Sequence, residues 1–297
     1  MDGCMLCPRR CGADRENGGI GICRETSTLR AARAALHMWE EPCISGEEGS
    51  GTVFFTGCNL RCVYCQNYEL SRSRAGKEIT VERLSEIFLE LQDKKANNIN
   101  LVTPTHFIPQ IIRALELSKG QGLCLPVVYN SSGYECVDSL KALEGLVDIY
   151  LPDFKYWDRA AAEQYSKAED YPDIVVCALK EMVRQTGVIR FDRRGIMTRG
   201  VIVRHLLLPG RLPDAKRIVR YLYETYGDGI YMSLMNQYTP LDSLDRSKYP
   251  ELNRGVTEKE YGKLVDYAIE LGVENAFIQE GGTAKESFIP SFTLDGI

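Results

Sequence analysis

Three thiols stand within eight residues of this 297-residue chain, at Cys58, Cys62 and Cys65 in the stretch FFTGCNLRCVYCQN. Their spacing is C-x3-C-x2-C. Three thiolates on one short loop can bind three irons of a four-iron cluster and leave the fourth without a protein ligand, whereas a ferredoxin-type cluster takes four cysteines. Zinc would also need a fourth ligand from elsewhere. The loop therefore reads as a cluster site with one coordination position open to substrate or cofactor; the plainer alternative is a zinc site or three unrelated buried thiols. A second group, Cys4, Cys7, Cys11 and Cys23, has the spacing C-x2-C-x3-C-x11-C. Four thiolates close a tetrahedral site, which suits structural zinc or an auxiliary iron–sulfur cluster, and spacing does not separate the two. Arg9 and Arg10 would offset the thiolate charge there, and Gly12, Gly18, Gly19 and Gly21 give the backbone freedom to fold around a metal.

The remaining cysteines are Cys43, expected to be a buried thiol or else an extra ligand or radical relay, and Cys124, Cys136 and Cys177, expected in the core. Eight of the eleven cysteines fall within the first 65 residues. Such clustering favours metal or redox chemistry in a reducing compartment over a disulfide framework.

The elements that must position these residues follow from periodicity. Short β-rich runs at 52–57, 98–104, 125–130, 147–154, 201–208 and 230–236, with a possible seventh at 276–279, alternate with amphipathic helices. Leu84, Ile87, Phe88 and Leu91 share one helical face behind a Thr80 cap. A later helix is expected to start at Asp214 and stop at Gly227, and Thr257 with Glu260 has capping-box spacing. This alternation predicts an α/β fold, a parallel sheet with helical crossovers, either an open doubly wound sheet or a barrel. In both, chemistry gathers at the carboxyl ends of the strands, just where the three-cysteine loop begins.

Composition narrows the function classes. The net charge of −5 argues against a nucleic-acid partner. The stretch Arg190 to Arg220 carries nine Lys/Arg against Asp192 and Asp214, either a solvated face or a docking surface for an acidic partner. No apolar run is long enough for a membrane span, the opening residues contain no signal-peptide core, and a cytoplasmic protein is expected.

The loop CNLRCVYC, with Tyr64 before its last cysteine, resembles the signature of the radical S-adenosylmethionine enzymes. That resemblance implies a partial (β/α)6 barrel and a [4Fe-4S] cluster whose unique iron is chelated by S-adenosylmethionine. It also implies an external electron donor, flavodoxin or ferredoxin, and a 5′-deoxyadenosyl radical that abstracts a substrate hydrogen under anaerobic conditions. YLPDFKYW (150–157) resembles the Asp-x-Lys motif of the glycyl-radical-enzyme activases, and VRHLLLPG (203–210) their strand-five motif. From end to end the chain resembles a subgroup labelled pyruvate formate-lyase activating enzyme-like, through CMLCPRRCG, EEPCISG, TPTHF, NSSGYE and NQY.

By that resemblance Asp153 organises the methionyl end of the cofactor, Lys155 pairs with its carboxylate or with the substrate, and Arg204 faces it. Asp153 and Lys155 have the same parity on their strand and can share a face. His205 must point the other way, into packing. Where the broader family has Gly-Gly-Glu after the second strand, this chain has TPTHF, so Thr103, Thr105 and His106 become candidates for those contacts. Asn130 and Ser132 are candidates for the ribose, with Asn236, Gln237 and Tyr238 beyond the sixth strand.

The expected organisation is a Cys-rich extension over 1–51 with a second metal site, a barrel over 52–280 and a tail over 281–297. Phe288 and Phe292 of that tail could cross the barrel mouth or pack on the surface. The expected function is reductive cleavage of S-adenosylmethionine and abstraction of a substrate hydrogen, with an activase acting on a glycine of a protein substrate as the nearest reading. The alternatives are a radical enzyme acting on a small molecule or peptide and, outside that class, a non-catalytic iron–sulfur electron carrier.

Overall fold

The computed structural model describes residues 3–72, 75–279 and 292–297. Ten strands form one sheet system: β1 Arg30–His37, β2 Ser50–Phe55, β3 Lys77–Glu78, β4 Ile99–Val102, β5 Val127–Ser131, β6 Ile149–Pro152, β7 Arg190–Phe191, β8 Met197–Leu206, β9 Tyr231–Met235 and β10 Ala276–Ile278. Their order is β10-β9-β8-β6-β5-β4-β2-β1-β3, with β7 paired on β8. From β2 to β10 the main path is parallel throughout. The sheet does not close, so the architecture is a partial α/β barrel. All seven runs expected from periodicity are strands of this parallel path.

The structure adds β1 and β3, which pair antiparallel at the β2 edge. β1 was missed because its sequence, RAARAALH, is rich in alanine, a residue poor in strands elsewhere. Nine helices are described: α1 Pro42–Ser45, α2 Tyr68–Arg72, α3 Val81–Asp93, α4 Ile108–Gly120, α5 Val137–Lys141, α6 Arg159–Ser166, α7 Tyr171–Thr186, α8 Leu212–Tyr226 and α9 Glu258–Leu271. Thr80 caps α3, the Thr257–Glu260 capping box opens α9, and Gly227 ends α8. Asp214 is not the cap of α8. It lies inside the first turn, and its carboxylate accepts the N–H groups of Trp157 and Asp158 at 3.1 and 2.8 Å.

Strand parity divides the core in two. Tyr129, Tyr150, Val201 and Val203 face the helices and join the large outer core with Leu84, Phe88, Ile111, Val175 and Ile218. Val128, Ile149, Leu151 and Ile202 face the other way and pack on Cys43 and Ile44 of α1. Helix α1 is therefore a plug on the inner face of the sheet. It is fixed by Asn97 and Asn98, whose Nδ2 groups donate to the carbonyls of Ser45 (2.6 Å) and Ile44 (2.8 Å). Cys43 is a packed thiol, pushed up to about 12 by burial and then by Glu41.

The basic run Arg190 to Arg220 does not form one surface. Arg199 is tied to the carbonyls of Gln185 and Thr186, Arg194 pairs with Asp192 and Glu48, Arg204 turns inward, and Arg220 reaches Tyr267. Phe288 and most of the tail lie outside the described residues. Phe292 packs edge-on to Phe54, and Ala34 N–H donates to Asp295 at 2.8 Å, so the final residues return to β1. No described helix is long and apolar enough to cross a membrane.

Candidate active site

The inner-face parity that sends Val128, Leu151 and Ile202 to the plug sends Asn130, Asp153 and Arg204 to the layer above it, at the carboxyl edge. There they line a cleft of about 220 Å³ with Cys58, Cys62, Tyr64, Cys65, Thr103, Ser132, Lys155 and Gln237. Residues from β2, β4, β5, β6, β8 and β9 thus meet at one mouth.

The polar floor is a single network. Lys155 Nζ donates to Asp153 Oδ2 at 2.6 Å, and Arg204 Nε stands 3.3 Å from Asp153 Oδ1. Arg204 Nη1 donates to Glu40 Oε2 at 3.0 Å and Nη2 to Asn130 Oδ1. Glu40 Oε1 accepts from Asn100 at 3.0 Å and Asn130 at 3.3 Å. Burial opposes ionisation of Asp153, but Lys155 and Arg204 outweigh it and hold the carboxyl below its ordinary value. Burial likewise works against Lys155, and Asp153 more than compensates, so the ammonium stays charged. Tyr171 Oη accepts the Lys155 backbone N–H at 2.9 Å and lies within reach of the Ser132 and Asp153 carbonyls, fixing β5 against β6. Gly133 permits that approach: its φ is +73° and an added Cβ would meet the Asp153 carbonyl at 2.4 Å.

Glu40 is the residue sequence reasoning missed. It arrives on the stretch between β1 and the plug, as the first residue of the EEPCISG motif, and only β1 and the sheet explain how it reaches Arg204. His37, Trp39, Gln66 and Met235 line the same cleft. Gln66 Nε2 donates to the Gln237 carbonyl at 2.9 Å, tying the cysteine loop to the end of β9.

Several expected residues lie elsewhere. Thr105 is buried and donates to Glu135 at 2.6 Å, and His106 meets the Thr56 carbonyl at 2.7 Å, so of the TPTHF segment only Thr103 lines the cleft. Asn236 and Tyr238 are also outside it. Tyr238 packs edge-on to Tyr64 and donates to the Leu252 carbonyl. His205 is buried in the outer layer with Nδ1 2.7 Å from the Phe154 carbonyl. Cys124 and Cys177 are exposed and Cys136 is half-buried, contrary to the expectation that all three pack in the core.

The loop itself suits a metal cluster. Leu60 N–H points at Cys58 Sγ (3.4 Å) and Ser166 Oγ at Cys62 Sγ (3.1 Å). Tyr64 is held edge-on by Tyr156, Tyr165 and Tyr238. Burial, then repulsion from Cys62 and Cys58, pushes the Cys65 thiol up to about 12, and burial also raises Cys58. Cys58 and Cys65 would not ionise together at neutral pH without a compensating positive charge, which cluster irons would provide. Ser132 Oγ is buried with no hydrogen-bond partner, a group left over for a ligand. Among the described residues no three His, Cys, Asp or Glu side chains converge tightly enough to hold a single ion.

Comparison with known proteins places the chain. The Radical SAM superfamily model matches residues 52–222, more than half of it. An uncharacterized protein of Methanocaldococcus jannaschii is 30% identical over 275 residues, covering 89% of this chain and 74% of the relative. The pyruvate formate-lyase-activating enzyme of Clostridium pasteurianum is 26% identical over 216 residues, covering 68% and 79% respectively. The structure of Streptococcus suis SuiB bound to S-adenosylmethionine shares the fold, with a TM-score of 0.51 at 11% identity over 78% of this chain; the match spans half of SuiB. A partial barrel with a C-x3-C-x2-C loop at its carboxyl edge is the architecture of a cluster-bearing radical enzyme, and this chain belongs to the radical SAM superfamily. Membership supports S-adenosylmethionine-dependent radical chemistry with a [4Fe-4S] cluster.

Proposed function

We propose that the chain is an activase-type radical enzyme, in which Cys58, Cys62 and Cys65 hold the [4Fe-4S] cluster and S-adenosylmethionine occupies the adjoining cleft. The observation that carries this reading is the convergence of the three thiols with Asp153, Lys155 and Arg204 at one mouth. A reduced [4Fe-4S] cluster held by these cysteines would supply the single electron needed for reductive cleavage of the sulfonium.

The chain's own residues divide the remaining work. Lys155 Nζ donates to Asp153, and an ammonium carries three donors, which leaves two for the cofactor carboxylate. Ser132 Oγ offers a contact to the ribose. Arg204 is engaged by Glu40, Asn130 and Asp153, so it acts as a positioning residue that fixes Asp153 from below. The tyrosines around Tyr64 shield the loop from water, the protein's main contribution to radical chemistry. Similarity to the Clostridium pasteurianum activating enzyme favours a glycine of a polypeptide as the hydrogen donor. In this reading residues 1–51 form an extension whose Cys4, Cys7, Cys11 and Cys23 hold a second metal.

The test is anaerobic: reconstitute the protein, add reductant and S-adenosylmethionine, and quantify 5′-deoxyadenosine. Wild type should produce it, and Cys58→Ala/Cys62→Ala/Cys65→Ala should not. An iron-loaded wild type that makes none would sink the radical reading.

A further inference from the structure

The three thiols of the cysteine loop keep different polar company. Leu60 N–H reaches Cys58 Sγ at 3.4 Å. Ser71 lies beside Cys65, but its hydroxyl donates to the Tyr68 carbonyl at 3.2 Å and is engaged there. At Cys62 the Ser166 hydroxyl stands 3.1 Å from Sγ, the closest of these contacts. The Lys155 charge acts on all three sulfurs and singles out none. The Ser166 hydroxyl is aimed by a partner of its own: Tyr156 Oη lies 2.7 Å from Ser166 Oγ, and Tyr64 packs edge-on to Tyr156, 6.3 Å between ring centroids. Cys62, Tyr156 and Ser166 are all buried. A cysteine ligates a metal as its thiolate, so its sulfur has no proton to give and can only accept. That fixes the direction of the chain. Ser166 donates to Cys62, and Tyr156 must then donate to Ser166. A hydroxyl that accepts one hydrogen bond donates a stronger second one, and burial strengthens both.

The backbone beneath Ser166 is clamped to the loop. Ser166 is the last residue of α6, and Lys167, at φ of +52°, ends the helix. Arg9 Nη2 donates to the Ser166 carbonyl at 2.6 Å and Nη1 to the Lys167 carbonyl, acceptors that the end of a helix leaves open. The same guanidinium donates through Nε to the Asn59 carbonyl at 2.8 Å and lies over the Tyr134 ring, 5.2 Å from its centroid. Val63 N–H, next to Cys62, donates to the Tyr165 carbonyl at 2.9 Å. At the start of the loop, Cys58 N–H donates to the Cys23 carbonyl at 3.1 Å. Helix α6 and the cysteine loop are thus tied at several points, and Ser166 Oγ is held at Cys62.

We propose that Ser166 is a positioning residue that sets the reduction potential of the cluster held by this loop, through its hydrogen bond to Cys62 Sγ. The inference rests on the reading of Cys58, Cys62 and Cys65 as cluster ligands. One-electron reduction adds negative charge to a cluster and its thiolates. A hydrogen bond to a ligand sulfur strengthens with that charge, so it stabilises the reduced state more than the oxidised one. The electron comes from the added reductant, the proton stays on the Ser166 oxygen, and no bond forms or breaks. Ser166 thereby makes the cluster easier to reduce, the state required before a sulfonium can be cleaved.

The test is a potentiometric titration of the full chain, reconstituted anaerobically and followed by the electron paramagnetic resonance signal of the reduced cluster. Ser166→Ala should lower the equilibrium constant for reduction about tenfold, a midpoint about 59 mV more negative for one electron, with iron and sulfide at wild-type level. Ser166→Thr keeps the hydroxyl and should bring the midpoint back toward wild type. Tyr156→Phe leaves Ser166 its proton but removes the donor behind it, and should shift the midpoint in the same direction by less. A purely structural role for Ser166 would appear as lost stability with an unmoved potential. An unmoved midpoint in Ser166→Ala would overturn the inference, as would a shift that Ser166→Thr does not reverse. If Ser166→Ala holds no iron, Tyr156→Phe decides, and an unmoved midpoint there overturns the inference. A wild type that takes up no four-iron cluster would instead remove the reading of the three cysteines, and this inference with it.

Discussion

Asp153 stands between two cations that the structure uses differently. Arg204 is bound on three sides, by Glu40, Asn130 and Asp153, whereas Lys155 keeps donors for the cleft. We therefore expect Lys155→Met to weaken S-adenosylmethionine binding by roughly 10–100-fold, the worth of a charge-assisted hydrogen bond. Glu40→Gln should act on the protein rather than on the cofactor. It removes a carboxylate that Arg204 holds beneath the site, so stability should fall by about 1–3 kcal/mol while cofactor affinity changes little. Calorimetric titration with S-adenosylmethionine and urea unfolding of both variants separate the two outcomes. Equal loss of affinity in both would mean that Arg204, too, binds the cofactor directly.

The elements matter through two close approaches. The first is the plug, where Ile44 is fully buried against Val128, Ile149, Leu151 and Ile202. Ile44→Ala should cost about 2–5 kcal/mol, read as a lower urea midpoint, because a rigid sheet floor cannot collapse into the space. The second is Gly57, where both φ and the Cys23 carbonyl exclude a side chain. Gly57→Ala should displace the N-terminal segment from the loop, and metal analysis should show a lower metal content than wild type. A variant that keeps its full metal content would mean the loop can shift to make room. The cysteine loop, the Asp-x-Lys pair and most strand positions were legible in the sequence because spacing and parity are local properties. Thr105 was misplaced because its hydroxyl satisfies the buried Glu135 carboxylate, a partner thirty residues away that no local pattern reveals.

At the scale of the whole molecule, burial sets the response to acid. The chain has three histidines, and burial pulls all of them down, His37 to about 4, His106 to about 3 and His205 to about 4. An imidazole held neutral in the fold contributes stability that is present above its ordinary value of 6.5 and is lost as pH falls through the folded value. Glu135 opposes this. Burial raises it to about 7, so its contribution is present below the ordinary 4.5 and is lost as pH rises through 7. The imidazoles outnumber it, and stability should fall below about pH 6.5 by an amount on the order of a few kcal/mol. Urea midpoints across pH 4 to 8 check this: His106→Gln/His205→Gln should flatten the decline, and Glu135→Gln should steepen it.

The sequence by itself determined the chemistry available to this protein: three thiols at cluster spacing, four more near the start, and a strand–helix alternation that puts the first group at a carboxyl edge. It did so because ligand spacing and hydrophobic period are written within a few residues of each other. Only the tertiary structure decided that the stretch before Cys43 passes inside the sheet and sets Glu40 under Arg204. Only it decided that Cys23 sits on the amide of Cys58. Both arrangements join segments far apart in the chain, through Ala-rich β1 and through glycine backbone at Gly57. These long-range contacts depend on how the elements pack, and no period in the sequence records it.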